Sequence, residues 1–256
     1  MRLRLIVVPL SVIVAFVGWE MLARLGDFPT FLLPSPANVW DKFLQVAGNG
    51  VLTRHLLYTL AEVLAGLALG VSVATVSGYI LAKSPTVERL MSPYIVASQA
   101  VPIVAIAPLL VIWFGPGVLS KVLICALIVF FPVLVNTIVG VRSVPDELHD
   151  LMRSLNATRW QNIKLLEVPA ALPVFLGGLR IGATLAVIGA VVGEFVGADR
   201  GLGFLINRAR GQYDTALVFV AILALVVLAL SLYGFVTLIE SRLLSWQKRP
   251  ERYKYS

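Results

Sequence analysis

Six long apolar stretches dominate this sequence and restrict the folds that it can adopt. They cover residues 5–24, 56–82, 93–114, 118–141, 171–197 and 216–240. A helix needs about 20 apolar residues to cross the roughly 30 Å hydrocarbon core of a bilayer, where an open backbone finds no water to bond. The last stretch is the clearest, because residues 216–239 carry no charge. The sequence therefore predicts an all-α membrane protein with about six transmembrane helices.

The composition excludes several other classes of protein. Hydrophobic residues make up 59% of the chain and charged residues 14%, whereas soluble domains average about 25% charged residues. A soluble enzyme, a disordered regulator and a disulfide-stapled secreted domain are thereby excluded. Cys125 is the one cysteine, so it is expected to be a packing residue with no disulfide or metal role. The histidines His55 and His149 are expected at the surface.

The positive charges predict the topology. With the N-terminus inside, thirteen of the 21 basic residues fall on inner segments and seven on outer ones, and Arg180 lies within the fifth stretch. This excess places both termini in the cytoplasm, and it explains the net charge of +7 without a nucleic-acid partner. Arg2 and Arg4 before an apolar run also fit a signal peptide. A retained first span is favoured, because the segment continues without a cleavage site.

The stretches and loops divide the chain into three parts. Residues 1–55 hold the first transmembrane helix and an outer interfacial segment, residues 56–240 hold the transmembrane core, and residues 241–256 form a basic cytoplasmic tail. Within the outer segment, residues 33–36 read Leu-Pro-Ser-Pro, which is typical of extended chain. Residues 39–44 predict a short interfacial helix with Trp40 at the level of the lipid headgroups.

The cytoplasmic loop over residues 142–170 is too long for a simple connector. Pro145 followed by two acids is a helix-start signal. An apolar stripe at helical spacing follows it, made of Leu148, Leu151, Met152 and Leu155. We predict that this helix ends at Asn156, because asparagine tolerates the left-handed conformation that ends helices.

A second short helix is predicted directly after that turn. Thr158 and Gln161 have the spacing of a capping box. The helix carries Trp160 and is expected to end at Pro169. Two interpretations of the loop remain open on spacing alone. It is either a connector on the membrane surface or a protruding handle that binds a partner through anchors such as Trp160 and Arg159.

The loop and several flanking motifs resemble the permease subunits of ABC importers. The family pattern is Glu-Ala-Ala, three residues, Gly, nine residues, and Ile-x-Leu-Pro. Here its three landmarks are residues 150–152, which read Asp-Leu-Met, Asn156 in place of Gly, and residues 166–169, which read Leu-Glu-Val-Pro. Residues 33–36, 113–115, 153–160, 169–173, 178–182 and 192–195 are similar to the branch that handles nitrate, taurine, alkanesulfonates, riboflavin and thiamine precursors.

The resemblance implies the type I importer fold, with the loop as the coupling helix that seats in an ATPase subunit. It implies these docking residues: Asp150, Arg153, Ser154, Asn156, Thr158, Arg159 and Trp160. We find no Walker motif, so ATP is expected on separate ATPase subunits, with no cofactor or metal held by this chain. The expected partners are those ATPases, an external binding protein, a second permease copy in a homodimer, and the lipid of a bacterial inner membrane.

Six residues are candidates for the substrate pathway: Gln99, Pro102, Asn136, Thr137, Arg180 and Glu194. Arg180 and Glu194 are intramembrane charges, which are often functional. Fourteen positions separate them, about 21 Å along one helix, so they do not pair directly. The alternatives are that Arg180 extends towards the inner interface, that Glu194 lies near the outer interface, and that Asn136 and Thr137 bond helices together.

The function expected from these patterns is transport of a small solute, with no bond chemistry by this chain. The cargo is expected to be a neutral heterocycle such as riboflavin or a thiamine-precursor pyrimidine, since basic residues in the spans are few. Taurine, alkanesulfonates and nitrate are the alternative cargoes. An ion-coupled secondary transporter would need several buried acids, for which Glu20, Glu62 and Glu194 are candidates. An intramembrane enzyme would need histidines in the spans.

Overall fold

A computed structural model describes residues 2–26 and 28–247 of the chain. Within these residues the protein is helical, without a β-strand. The helices are α1 (Arg2–Leu25), α2 (Pro36–Gly48), α3 (Val51–Lys83), α4 (Pro85–Gln99), α5 (Ile103–Phe114), α6 (Val118–Arg142), α7 (Asp146–Ser154), α8 (Arg159–Asn162), α9 (Val168–Gly197), α10 (Leu202–Gly211) and α11 (Thr215–Leu243). A π-helical turn, Ile163–Glu167, joins α8 to α9, and a 3₁₀ turn, Ser245–Gln247, follows α11.

Helices α3, α6 and α9 form the centre of the bundle. Glycine allows their close approach: a Cβ on Gly70 would lie 2.7 Å from the carbonyl oxygen of Ala126, and one on Gly189 would lie 2.8 Å from the Cα of Cys125. Small residues at such contacts let membrane helices pack backbone to backbone. Cys125 is fully buried there, which confirms its predicted packing role.

Among the described residues, four helices are long and apolar enough to cross a membrane: Val51–Lys83, Val118–Arg142, Arg159–Gly197 and Thr215–Leu243. They contain the stretches predicted at 56–82, 118–141, 171–197 and 216–240. The α3 and α9 ends that meet near Lys83 and Val168 define the loop end of the bundle. The opposite end, where α10 begins, is called the α10 end.

The stretch predicted as one span over 93–114 is divided. Helices α4 and α5 meet at a bend of 92°, across a break of three residues. Pro102 precedes α5 in an extended conformation, with φ −68° and ψ 113°. Proline lacks an amide donor and disfavours helical backbone before it, so the ladder stops there. A single straight third span is therefore wrong, and the pair is a broken span or a re-entrant segment.

The first part of the chain packs against the bundle through aromatic contacts. Helix α1 covers the stretch predicted at 5–24, and the Trp19 ring stacks on Phe219 of α11 at a centroid distance of 5.2 Å. Helix α2 begins after Ser35, whose hydroxyl accepts the Asn38 amide at 3.2 Å. It contains the predicted interfacial helix and extends it at both ends. The tail predicted over 241–256 lies outside the described residues from position 248 onward.

The second loop helix does not end at Pro169, contrary to the prediction. Residues Arg159–Gly197 run as one continuous helical segment. The amide of Val168 bonds to the carbonyl of Ile163, five residues back. This wider π turn replaces the regular i−4 ladder just before Pro169, so the proline ring does not have to displace a regular helical hydrogen bond.

Candidate functional site

Helix α7 projects from the bundle and buries none of its own side chains. Three members of its predicted apolar stripe are solvent-accessible, with Leu148 40% exposed, Leu151 52% and Leu155 67%. A lone surface leucine is ordinary, but an apolar stripe along one short helix marks a surface that contacts another body. No other part of the described chain packs over this stripe.

The end of α7 is a complete Schellman motif. Asn156 has a φ of 52°, and its amide donates to the Arg153 carbonyl at 2.9 Å. The Ala157 amide donates to the Met152 carbonyl at 3.0 Å. These are the two bonds that satisfy the last carbonyls of a helix. The prediction that α7 ends at Asn156 is confirmed.

The next helix begins with the predicted capping box. The Gln161 amide donates to the Thr158 hydroxyl at 3.3 Å, and the Thr158 amide donates to the Gln161 side chain at 2.8 Å. The turn between α7 and α8 is therefore fixed on both sides, and Trp160 stands on it 70% exposed. The seven predicted docking residues are all exposed on this tip: Asp150, Arg153, Ser154, Asn156, Thr158, Arg159 and Trp160. Their docking role stays a prediction.

A polar cluster at the root of the tip was missed from the sequence. Glu167 is 2% exposed, and its carboxylate accepts from three side chains. Lys83 lies 2.6 Å away, the Tyr79 hydroxyl 3.0 Å and the Asn162 amide 2.5 Å. Lys83 and Tyr79 belong to α3, so the cluster joins the tip to a core helix. The sequence signal that could have revealed this cluster is Glu167 itself, a lone acid within the apolar run 165–168 at the variable position of the family motif.

Arg180 faces a partner on another helix. Its Nε lies 3.1 Å from Oε2 of Glu240 on α11, and its guanidinium lies over the Tyr233 ring at 5.9 Å. Glu240 is near the loop end of α11, so Arg180 extends in that direction. This arrangement agrees better with the hypothesis that Arg180 extends towards the inner interface than with the hypothesis that it is a free charge in the substrate pathway.

Glu194 is buried at the α10 end, where it is 1% exposed. It accepts the Thr59 hydroxyl of α3 at 2.7 Å and the amide of Gly203 at 2.5 Å. Glu62 of α3 is also buried at this end, 5% exposed. The carboxyl group therefore ties the first turn of α10 to two core helices, and the expectation that Glu194 lies near the outer interface stays a prediction.

Other buried groups complete the same end of the bundle. His55, expected at the surface, is 8% exposed and accepts the Gly201 amide at 3.0 Å. Lys121 is 3% exposed, and its ammonium donates to the carbonyls of Gly117 at 3.1 Å and Gly197 at 3.0 Å. Because buried polar groups need partners, these bonds hold the glycine-rich segment after α9 in place.

The remaining pathway candidates fall into two groups. Gln99 and Pro102 are exposed at the bend between α4 and α5. Asn136 and Thr137 instead face neighbouring helices: a Cβ on Gly178 of α9 would lie 2.6 Å from the Asn136 Cβ, and one on Gly78 of α3 would lie 2.8 Å from the Thr137 Cβ. The structure thus does not bring the six candidates into one site.

One cavity lies beside the Glu167 cluster. It has a volume of 410 Å³ and an almost wholly apolar wall, to which Thr75, Tyr79, Thr137 and Phe175 contribute. Within the described residues there is no group of three His, Cys, Asp or Glu side chains placed to hold a metal ion.

The fold matches that of a solved importer. An inward-facing structure of the MetNI methionine ABC transporter superposes with a TM-score of 0.67 at 18% identity, covering 75% of this chain and 96% of that one. Together with the bent helix pair and the projecting loop, this defines the class: the chain has the fold of a type I ABC importer permease.

Sequence comparisons identify the family. The model of the binding-protein-dependent transport system inner membrane component matches residues 66–245. The riboflavin transport system permease protein RibX of Chloroflexus aurantiacus is 45% identical, over 93% of this chain and 89% of that protein. The formylaminopyrimidine transport permease protein ThiX of Halalkalibacterium halodurans is 39% identical, over 90% and 92%. The chain belongs to the binding-protein-dependent inner membrane component family.

Membership confirms the predicted recognition, fold class and transport role. The chain is the multi-pass transport subunit of an ABC importer and is not itself an enzyme. Its family works with ATPase subunits and a binding protein. The ion-coupled alternative is not supported, because the chain belongs to an ABC permease family and the buried carboxylate of Glu194 serves as a helix tie.

Proposed function

We propose that this permease imports a planar heterocyclic vitamin, riboflavin or a thiamine-precursor pyrimidine. The supporting observation is its similarity to RibX at 45% and to ThiX at 39% identity over nine-tenths of the chain. Permeases of one family that share that much sequence commonly share a class of cargo, although the binding protein sets much of the selection.

The charges in the spans agree with a neutral cargo. A permanently anionic substrate is favoured by cations that are free to face it. Of the basic residues well inside the described spans, Arg180 is paired with Glu240 and Lys121 is occupied by backbone carbonyls. The wall of the 410 Å³ cavity beside Glu167 is instead almost wholly apolar and includes the aromatic rings of Tyr79 and Phe175, which suits a flat ring system.

The tip formed by α7 and α8 is proposed as the ATPase dock. It presents an uncovered apolar stripe and one exposed tryptophan on a turn that both caps hold rigid. Interfaces take most of their binding energy from a few such aromatic anchors. This loop and both termini are proposed to be cytoplasmic, which the excess of basic residues on the inner segments supports.

A second copy of the chain is proposed to complete the pathway. Helix α4 buries none of its own residues within one chain, and Gln99 and Pro102 are exposed at its end. In a homodimer the α4–α5 bends of the two copies would face each other and enclose a path between the subunits.

Docking is tested by assembly with the ATPase subunit. Trp160→Ala should weaken complex formation by about 30-fold, the loss of one typical hot-spot anchor. Trp246→Ala is the matched control, because Trp246 is 56% exposed but lies in the 3₁₀ turn after α11 and not on α7 or α8. Equal assembly of both variants would refute the proposed dock.

The cargo is tested with the binding protein and then with vesicles. Riboflavin and formylaminopyrimidine should each be tried for thermal stabilisation of the binding protein and for ATP-dependent uptake by the reconstituted importer. Selective stabilisation by taurine, with no response to either vitamin compound, would refute the vitamin assignment.

A further inference from the structure

The buried carboxylate of Glu167 has a position that the docking proposal does not use. It lies in the π turn between the exposed tip and the long helix α9, and it is 2% exposed. None of the docking residues contacts it. Single π turns inside helices are frequent at functional positions, so the partners of Glu167 indicate what this turn does.

Those partners form a continuous path from the core to the tip. Lys83 and Tyr79, on the last turn of α3, bind the carboxylate from one side at 2.6 and 3.0 Å. Asn162, at the end of α8, binds it from the other side at 2.5 Å. The Asn162 amide also lies 3.4 Å from Nδ1 of His149, on α7. One carboxylate thus connects α3, α8 and, through Asn162, the docking helix itself.

The contacts of Glu167 are strong enough to make α3 and the tip move together. A buried charge that loses its partner is far more costly than an exposed one, so α3 and the tip cannot separate without exposing or neutralising Glu167. An exposed pair such as Arg153 with Asp150, whose side chains are 81% and 68% accessible, imposes no such constraint.

We propose that Glu167 is a positioning residue that transmits movement of the docked tip to the end of α3. The inference rests on the proposed docking of the ATPase at the tip. When the ATPase shifts α7, the Glu167 cluster makes the end of α3 follow, and α3 in turn carries Thr59, which holds the α10 end through Glu194. The cluster therefore sets how efficiently ATP hydrolysis is linked to the pathway, and it does not contribute to ATPase binding.

The first test uses the permease alone in lipid nanodiscs. Glu167→Gln keeps the size of the side chain but removes the charge that Lys83 pairs with. Amide hydrogen exchange over residues 146–162 should rise about tenfold, as expected when a coupling contact is lost. Glu240→Gln is the matched control, since it also removes an ion pair between two helices, that of Glu240 on α11 with Arg180 on α9, and leaves the tip contacts intact. Equal exchange in both variants overturns the proposal.

The second test uses the permease with its ATPase subunit and binding protein. Glu167→Gln should assemble normally and keep the basal rate of ATP hydrolysis, while stimulation by the loaded binding protein falls about tenfold. Unchanged stimulation overturns the relay. Loss of assembly also overturns it, because Glu167 would then belong to the dock. If Trp160→Ala assembles normally, the docking proposal fails instead. The exchange experiment still tests whether Glu167 joins the tip to α3.

A charge swap separates this role from a merely structural one. Glu167→Lys alone places two cations together and should abolish stimulation. Combined with Lys83→Glu it restores an opposite pair, and Tyr79 and Asn162 can each accept as well as donate a hydrogen bond. Stimulation should recover in the double variant. A double variant no better than the single one overturns the proposal.

Discussion

Gly201 occupies the most demanding backbone position at the α10 end. Its φ of 105° and ψ of 167° lie in a region that is open to almost no other residue. A Cβ there would overlap the carboxylate of Glu194. That carboxylate can move aside only by leaving the Thr59 hydroxyl and the Gly203 amide. We predict that Gly201→Ala strongly lowers the free energy of unfolding.

The size of the loss follows from these two effects. Backbone strain of this kind costs about 1–3 kcal/mol, and each buried group left without its hydrogen bond costs about 1–3 kcal/mol. Over one strained residue and the two groups, Thr59 and Gly203, the sum is about 6 kcal/mol. At about 2–4 °C per kcal/mol for a chain of this length, the melting midpoint should fall by roughly 12–24 °C.

The assay uses the chain's own thiol. Cys125 is the one cysteine and is fully buried, so a fluorogenic maleimide reacts only as the bundle opens. Gly50→Ala is the matched control, because Gly50 also has a positive φ, 74°, but no atom within 4 Å of an added Cβ. It should lose only about 1 kcal/mol, or 2–4 °C. Equal shifts for the two variants would refute a stabilising role for the Glu194 contacts.

Three further predictions concern other parts of the bundle. Asn156→Val should cost about 1–2 kcal/mol through left-handed strain and raise hydrogen exchange at the end of α7, whereas Asn156→Gly, which adds only unfolded-state entropy, should raise it less; equal exchange would contradict the Schellman assignment. Gly70→Ala should lower the melting midpoint by the equivalent of about 1–3 kcal/mol of overpacking, whereas Gly177→Ala, whose added Cβ meets open space, should not. Labelling of the Cys125 thiol during thermal unfolding measures both, and equal midpoints would contradict the prediction. Arg180→Gln combined with Glu240→Gln should be more stable than either single variant, as for a largely buried pair whose single variants leave one charge unpaired. Loss of uptake at full stability would instead show that Arg180 belongs to the substrate pathway.

Local signals were read correctly from the sequence. The spans at α3, α6, α9 and α11 follow from apolar length, and the end of α7 at Asn156 and the Thr158 capping box follow from residue types with a fixed local geometry. Such features depend on neighbours within four residues, and a single sequence contains that information.

Features that depend on distant neighbours were missed. Thr59 and Glu194 are 135 positions apart, and Tyr79 and Glu167 are 88 apart; no local pattern links them. The two prolines also had opposite outcomes. Pro102 ends a helix sharply, whereas Pro169 does not, because a π turn precedes it and packing on the core maintains the helix. The residue type alone does not distinguish these cases.

The asparagine at the tip has a thermodynamic consequence beyond its geometry. Glycine would adopt the same φ without strain, but it would also give the unfolded tip more conformations to lose on ordering. Asn156 reduces that entropy while its two Schellman bonds hold the turn. The tip is therefore preorganised before it meets a partner, and less of the binding free energy is spent on ordering it.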